Sequence, residues 1–211
     1  MNLANKLTIF RILLVPLMVI IPFLGIQGEV FGIPITYLIM DAIFIVASIT
    51  DKLDGYIART RNQVTTFGKF LDPLADKILV LTAMILLVEV TKIPAWIPII
   101  VLSREFIVSG YRLIAVEKGG KVIAASIWGK LKTVTQMVAI TFIFIDKFNF
   151  FDFIRATTDA KVAIESSAMI YMNQGQIVFN AIASICLLIS VIATVFSGYD
   201  YLKNGKELLK D

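Results

Sequence analysis

Hydrophobic residues form six long runs along this chain, and short polar segments separate one run from the next. The runs cover residues 9–26, 33–58, 70–90, 93–116, 123–145 and 177–196. Each is long enough to cross a bilayer as a helix, which takes about 17–25 residues. Helices are the expected form, because an open sheet cannot satisfy its backbone hydrogen bonds in lipid. The pattern therefore predicts an all-α integral membrane protein with six transmembrane helices.

The polar segments between the runs are short, with one exception. Residues 146–176 form the longest connection, and part of it is compatible with a helix lying on the membrane surface. Residues 1–8 are predicted to form a short helix beside the membrane. The first run ends without a small-x-small cleavage site, so we interpret it as a retained helix and not as a signal peptide. Residues 1–211 are thus expected to form a single membrane domain.

The positive charges give this arrangement a direction, because Lys and Arg are enriched on the cytoplasmic side of membrane proteins. With the N terminus inside, the cytoplasmic ends carry Lys6, Arg11, Arg59, Arg61, Lys69, Lys118, Lys121, Lys203, Lys206 and Lys210. The outer ends carry only Lys92, Lys147, Arg155 and Lys161. The bias predicts that both termini lie in the cytoplasm, with a polar cavity that opens on the same side.

Composition narrows the chemistry that is available. Hydrophobic residues make up 58% of the chain, above the roughly 45–50% that is typical of a soluble domain. There is no His, and the one Cys, Cys186, lies in an apolar run. A disulfide framework and a thiolate metal cluster are therefore excluded, and a metal has to be bound by oxygen. The formal charge of +4 is modest, and we expect no nucleic-acid partner.

Four aspartates stand out against this apolar background. Asp51 and Asp54 lie at the end of the second run, and Asp72 and Asp76 lie at the start of the third. Because a short turn joins the two runs, their helices are predicted to be antiparallel neighbours with opposed acidic faces. Pro73 fits this arrangement if it lies in the first turn of its helix. A charge near the centre of a membrane helix costs at least about 2.5–3.5 kcal/mol, so the clustered carboxylates need a compensating partner.

Divalent cations would offset the cost of clustering these carboxylates. All-oxygen ligands favour Mg²⁺ or Mn²⁺ over zinc, and four carboxylates have the capacity for two ions. Two such ions can clamp the attacking and leaving oxygens of a phosphoryl transfer. The alternative is ion pairing with neighbouring cations, which are Arg59, Arg61, Lys69 and Lys77.

The spacing of these residues is similar to the signature of the CDP-alcohol phosphotransferase family at all eight of its defined positions. In this chain the signature reads Asp51-x2-Asp54-Gly55-x2-Ala58-Arg59-x8-Gly68-x3-Asp72-x3-Asp76. The resemblance implies that an alcohol attacks a CDP-linked alcohol and releases CMP. It also implies that the four aspartates hold two divalent cations and that Asp76 is the general base. It assigns the nucleotide site to Gly55, Ala58, Arg59 and Gly68, although small residues are also common contacts between membrane helices.

Near the start of the chain, Asn5, Thr8 and Arg11 recur every three residues and share one helix face. Arg11 alone is also interpretable as a side chain that anchors the helix end at the membrane surface. The Asn-x2-Thr-x2-Arg run resembles the N-terminal part of the family's nucleotide site. That resemblance implies that all three residues contact the nucleotide.

A second polar set lies in the fourth and fifth runs, in the segments SREFIVSGYR and WGKLKT. It consists of Arg104, Ser109, Arg112, Lys130 and Lys132. Because Arg and Lys bind phosphate, the set predicts an acceptor that carries a phosphate group, beside the metal site. The alternatives are a bridge between Arg104 and Glu105 and, for the lysines, a positively charged helix flank.

Both segments resemble those of the branch of the family that makes phosphatidylglycerophosphate. This implies CDP-diacylglycerol as donor and sn-glycerol 3-phosphate as acceptor, in a homodimer surrounded by membrane lipids. Inositol phosphate, serine and phosphatidylglycerol remain alternative acceptors. Outside the family, a cation-coupled transporter is the alternative, since its carboxylates would bind coupling ions. Asp41, in the second run, either bonds to a neighbouring helix or lines the cavity, and the sequence favours neither alternative.

Overall fold

The computed structural model describes residues 3–60, 66–117, 127–166 and 168–204, which are mostly helical. The helices are α1 (Leu3–Ile20), α2 (Ile35–Thr60), α3 (Thr66–Glu89), α4 (Trp96–Glu117), α5 (Ile127–Ile145), α6 (Ala160–Glu165) and α7 (Gln174–Asn204). A long helix therefore lies at each of the six hydrophobic runs. The prediction of a mostly helical protein is confirmed.

Two small pairs of strands lie in the connections. They are β1 (Glu29–Val30) antiparallel to β2 (Ile33–Pro34), and β3 (Ala156–Thr157) parallel to β4 (Ile170–Tyr171). Between β1 and β2, Phe31 and Gly32 both have positive φ, 55° and 78°. Two consecutive residues of this kind form the tight turn that matches the twist of a hairpin.

Three details differ from what the sequence predicts. Residues 3–8 are the start of α1 and not a separate surface helix. Residues 146–176 contain a 3₁₀ turn, the six-residue helix α6 and a short strand pair instead of one long surface helix. Pro73 lies about two turns inside α3, because α3 already begins at Thr66. A hydrophobic run marks the part of a helix that fits into lipid, whereas the helix itself continues into the polar segments on either side.

The chain divides into two compact units. The first consists of Met1–Lys92 and Thr141–Lys147. In it, α1 packs against both α2 and α3. Lys92, after α3, is buried, and its Nζ donates a hydrogen bond to the backbone carbonyl of Asp146 at 2.6 Å. The same Nζ lies 5.5 Å from the ring centroid of Tyr37, so the charge is held by a carbonyl and an aromatic face.

The second unit consists of Ile93–Ile140 and Phe148–Asp211, and α4 packs against α7 in it. Two polar side chains of α7 bind the backbone of the segment that precedes them. Ser184 accepts from the N–H of Phe151 at 2.9 Å, and Asn180 accepts from the N–H of Phe153 at 2.8 Å. These bonds satisfy backbone groups of a connection that has little regular structure of its own.

Among the described helices, Asn5–Leu24 and Gln174–Lys203 are long and apolar enough to cross a bilayer. Both also carry large apolar side chains on their outer faces. Leu13 on α1 is 62% exposed and Val195 on α7 is 54% exposed. Exposed apolar surface of this kind is expected where a helix faces lipid, so these two helices are candidate membrane spans.

Candidate active site

Helix α1 binds the first aspartate of the signature through a buried ion pair. Nη1 of Arg11 lies 2.7 Å from Oδ1 of Asp51 on α2. The Arg11 side chain is fully buried, whereas that of Asp51 is 31% exposed. A charged group is buried at acceptable cost only when it is paired, so the pair fixes the face that α1 turns toward α2.

The same face of α1 binds the second acidic helix. The Thr8 hydroxyl donates a hydrogen bond to Oδ1 of Asp72 on α3 at 2.7 Å. Asn5, Thr8 and Arg11 are all buried, as their spacing of three residues predicts for one helix face. Asp51 on α2 and Asp72 on α3 thus both contact α1, which contributes to the acidic site directly.

The acids in this unit have the chemistry that a hard divalent cation requires. The contacts from Arg11 and Thr8 both engage Oδ1, and each carboxylate has a second oxygen that can take a cation. Asp76 follows Asp72 by one turn of α3 and is half-buried. Among the described side chains, no three metal-binding residues lie together. Since the side chain of Asp54, the fourth predicted ligand, lies outside the described part of α2, the two-ion set stays a prediction.

The predicted nucleotide residues are only partly described. Gly68 is buried on α3. Gly55, Ala58 and Arg59 belong to α2, and their surroundings lie outside what the structure describes. Arg11 was predicted to contact a nucleotide, and in the structure it binds Asp51. Arg11 is distant in sequence from the aspartates, and only the packing of α1 against α2 brings it to Asp51.

Asp41 lies outside this group of acids, ten residues before Asp51 on α2. It is buried, and the Thr141 hydroxyl on α5 forms a hydrogen bond with its side chain. The structure thus gives Asp41 a partner on a neighbouring helix.

In the second unit, Glu105 on α4 binds two of the predicted phosphate ligands. Its Oε1 accepts from Nη1 of Arg104 at 3.0 Å and from Nζ of Lys132 at 2.5 Å. The bridge between Arg104 and Glu105, which the sequence left as an alternative, is therefore present. It does not cancel the local charge, because one carboxylate faces two cations.

Helix α7 completes this group with two residues that the sequence did not indicate. Nη2 of Arg112 donates to the Tyr201 hydroxyl at 2.9 Å, and Nη2 of Arg104 donates to Oγ of Ser197 at 2.5 Å. The Cζ atoms of both arginines lie 5.7 Å from the centroid of the Tyr201 ring. The only available sequence signal was the spacing of four between Ser197 and Tyr201 in an apolar helix, which places them on one face.

The two remaining members of the predicted set are placed differently. Ser109 donates to the backbone carbonyl of Glu105 at 2.7 Å, one turn earlier on α4. Lys130 is exposed near the start of α5. The structure therefore brings together Arg104, Arg112 and Lys132 around Glu105 and Tyr201, and it places Lys130 at the surface of its helix.

Comparison with known proteins supports the family indicated by the aspartate signature. The profile of the CDP-alcohol phosphatidyltransferase family matches residues 1–196. A Bacillus subtilis (strain 168) protein is 39% identical over 216 residues, covering 99% of this chain and 97% of that protein. A Rickettsia bellii protein is 32% identical over 207 residues, covering 98% and 96%, and an Escherichia coli K12 protein is 38% identical over 146 residues, covering 67% and 76%. All three are named CDP-diacylglycerol–glycerol-3-phosphate 3-phosphatidyltransferase.

Proposed function

This chain belongs to the CDP-alcohol phosphatidyltransferase family, and from that premise we propose that it transfers a phosphatidyl group from CDP-diacylglycerol to sn-glycerol 3-phosphate. The products are phosphatidylglycerophosphate and CMP, and the reaction is a step of phospholipid synthesis. The observation that carries the proposal is that Asp51 and Asp72, two acids of the signature on different helices, both contact one polar face of α1. Near-full-length similarity to proteins named for this reaction supports the choice of substrates.

The four aspartates of the signature bind the donor through divalent cations. Two divalent cations, Mg²⁺ or Mn²⁺, held by Asp51, Asp54, Asp72 and Asp76 would offset the charge on the diphosphate and on the departing CMP. Arg11 and Thr8 keep the carboxylates of Asp51 and Asp72 in fixed directions through Oδ1. A ligand whose orientation is fixed by a second residue binds its cation more tightly.

Asp76 acts as the general base on the acceptor. A hydroxyl group is a poor nucleophile, and a carboxylate is the natural base in a chain without His. Asp76 takes the proton as the hydroxyl oxygen bonds to the phosphorus that carries diacylglycerol. The bond from that phosphorus to the oxygen of the CMP phosphate breaks, and CMP leaves with that oxygen. No covalent intermediate with the protein is required.

The cationic side chains of the second unit bind the phosphate group of the acceptor. Arg104, Arg112 and Lys132 with the one carboxylate of Glu105 leave two positive charges. Arginine binds phosphate through two parallel hydrogen bonds, and a phosphate monoester carries about −1.5 to −2 charges at neutral pH. The charge of the group therefore matches glycerol 3-phosphate better than it matches serine, which carries no phosphate.

We propose six membrane crossings with both termini in the bacterial cytoplasm, and a homodimer. The long helices at all six hydrophobic runs and the bias of Lys and Arg toward one side support this topology. The donor keeps its acyl chains among membrane lipids, and the soluble acceptor enters from the cytoplasm.

An acceptor panel tests the function. Purified protein in detergent micelles with CDP-diacylglycerol and Mg²⁺ is given glycerol 3-phosphate, inositol phosphate, serine or phosphatidylglycerol in turn, and CMP release is measured. We expect turnover with glycerol 3-phosphate and its loss when a chelator removes the divalent cation. Strong turnover with serine and none with glycerol 3-phosphate would overturn the acceptor, and cation uptake without CMP release would favour a transporter.

A further inference from the structure

We propose that Tyr201, together with Ser197 one turn earlier on α7, is a positioning residue that holds Arg112 and Arg104 for the phosphate of the acceptor. The inference rests on the proposed function, since it concerns the residues that shape the acceptor-phosphate site. It adds two residues of α7 to a group that the sequence placed on α4 and α5 alone.

The hydroxyl of Tyr201 fixes the outer end of Arg112. Nη2 of Arg112 donates to this oxygen at 2.9 Å. Tyr201 is 1% exposed, whereas Arg112 is exposed. A guanidinium group has five N–H donors in a rigid plane, so a bond from one of them sets the direction of the others. The exposed side of Arg112 can then meet a ligand in a defined orientation.

The ring of Tyr201 makes a cation–π contact with both arginines. Each Cζ lies 5.7 Å from the ring centroid, within the roughly 6 Å over which cation–π attraction acts. Two guanidinium groups repel each other, and a shared aromatic ring lowers the cost of holding both nearby. Ser197 adds an acceptor at 2.5 Å for Nη2 of Arg104. The two arginines are thus held beside one ring, where both can contact the anionic oxygens of a single phosphate group.

The hydrogen bond between Arg112 and the Tyr201 hydroxyl is not needed for the packing of α7 against α4. At Gly198 the two helices are within ordinary van der Waals range, since a Cβ at that position would lie 3.5 Å from Cγ of Arg104. A tyrosine that only filled space would work equally well as phenylalanine. The hydroxyl oxygen, which accepts from Arg112, is therefore the atom to remove.

The test is Tyr201→Phe, with CMP release measured at varied glycerol 3-phosphate and, separately, at varied CDP-diacylglycerol. We expect the KM for glycerol 3-phosphate to rise about ten- to hundredfold, as the loss of one hydrogen bond to a charged group predicts. The kcat and the KM for the donor should not change. Tyr199→Phe is the matched control, since it removes the same atom from a residue of α7 that is 59% exposed.

A double variant separates positioning from a purely structural role. If Tyr201 acts through Arg112, then Tyr201→Phe should add no further rise in KM to that of Arg112→Ala. An unchanged KM in Tyr201→Phe, or an equal rise with and without Arg112, would overturn the inference. Should Tyr201→Phe not be recovered folded, Ser197→Ala tests the same face through Arg104, and the absence of a rise in KM there would count against the proposal. Wild-type protein that releases no CMP with glycerol 3-phosphate would instead overturn the proposed function.

Discussion

The ion pair between Arg11 and Asp51 should link the stability of α1 to that of α2. The two charged atoms are 2.7 Å apart, with Arg11 fully buried and Asp51 31% exposed. Removing one partner of a fully buried pair costs about 3–5 kcal/mol. Because water can reach the exposed part of Asp51, Arg11→Met should cost less, about 2–3 kcal/mol.

Asp51→Asn should be the more damaging of the two single changes. It leaves the buried guanidinium of Arg11 beside a neutral amide, which we expect to cost about 3–4 kcal/mol. The double variant Arg11→Met/Asp51→Asn removes both charges. It should be more stable than Asp51→Asn alone, because apolar replacement of a buried ion pair is often close to neutral.

The measurement is the apparent unfolding temperature of the purified variants in detergent, with a chelator present so that cations bound to Asp51 do not contribute. For a chain of this length 1 kcal/mol corresponds to about 2–4 °C, so Arg11→Met should lower the transition by about 4–12 °C. Lys6→Met changes an exposed charge on the same helix and should shift it by less than about 2 °C. If the double variant loses the sum of the two single losses, the charges do not interact and the reasoning is refuted.

Three further predictions concern activity. Asp76→Asn should lower kcat by about 10²–10⁴-fold while CDP-diacylglycerol still binds, and a near-normal rate would remove Asp76 as the base. Arg112→Ala should raise the KM for glycerol 3-phosphate far more than that for the donor; equal rises would exclude Arg112 from the phosphate site. Thr8→Val should raise the Mg²⁺ concentration for half-maximal activity about tenfold, because Thr8 orients Asp72, and Thr8→Ser should restore it. An unchanged Mg²⁺ dependence in Thr8→Val would show that this hydrogen bond has no bearing on the cation.

The positions of the long helices could be predicted from the sequence, because a run of apolar residues in lipid has few alternatives to a helix. The helix ends could not. Helix α3 begins at Thr66, before the run that starts at residue 70, and α1 begins at Leu3. Outside the lipid, water can satisfy the backbone hydrogen bonds of an irregular segment as well as a helix does. The hydrophobic pattern therefore does not show whether a polar segment is helical.

The acids of the site were also evident from the sequence, since residue type and spacing alone define the signature. Their partners were not. Thr8 and Asp72 are 64 positions apart, and Arg11 reaches Asp51 only because α1 packs against α2. Proximity in sequence therefore does not reveal the residues that contact these two acids.

The same division holds for the cations of the second unit. The sequence by itself determined that α4 and α5 carry Arg and Lys at spacings suited to a phosphate. Only the tertiary structure decided that Tyr201 and Ser197, 89 and 93 positions from Arg112 and Arg104, hold these arginines. Residue type fixes what a side chain can donate or accept, and local pattern fixes which segments are helical. Which donor meets which acceptor is decided by helix packing, because a hydrogen bond between distant residues can form only when the chain has brought their helices together.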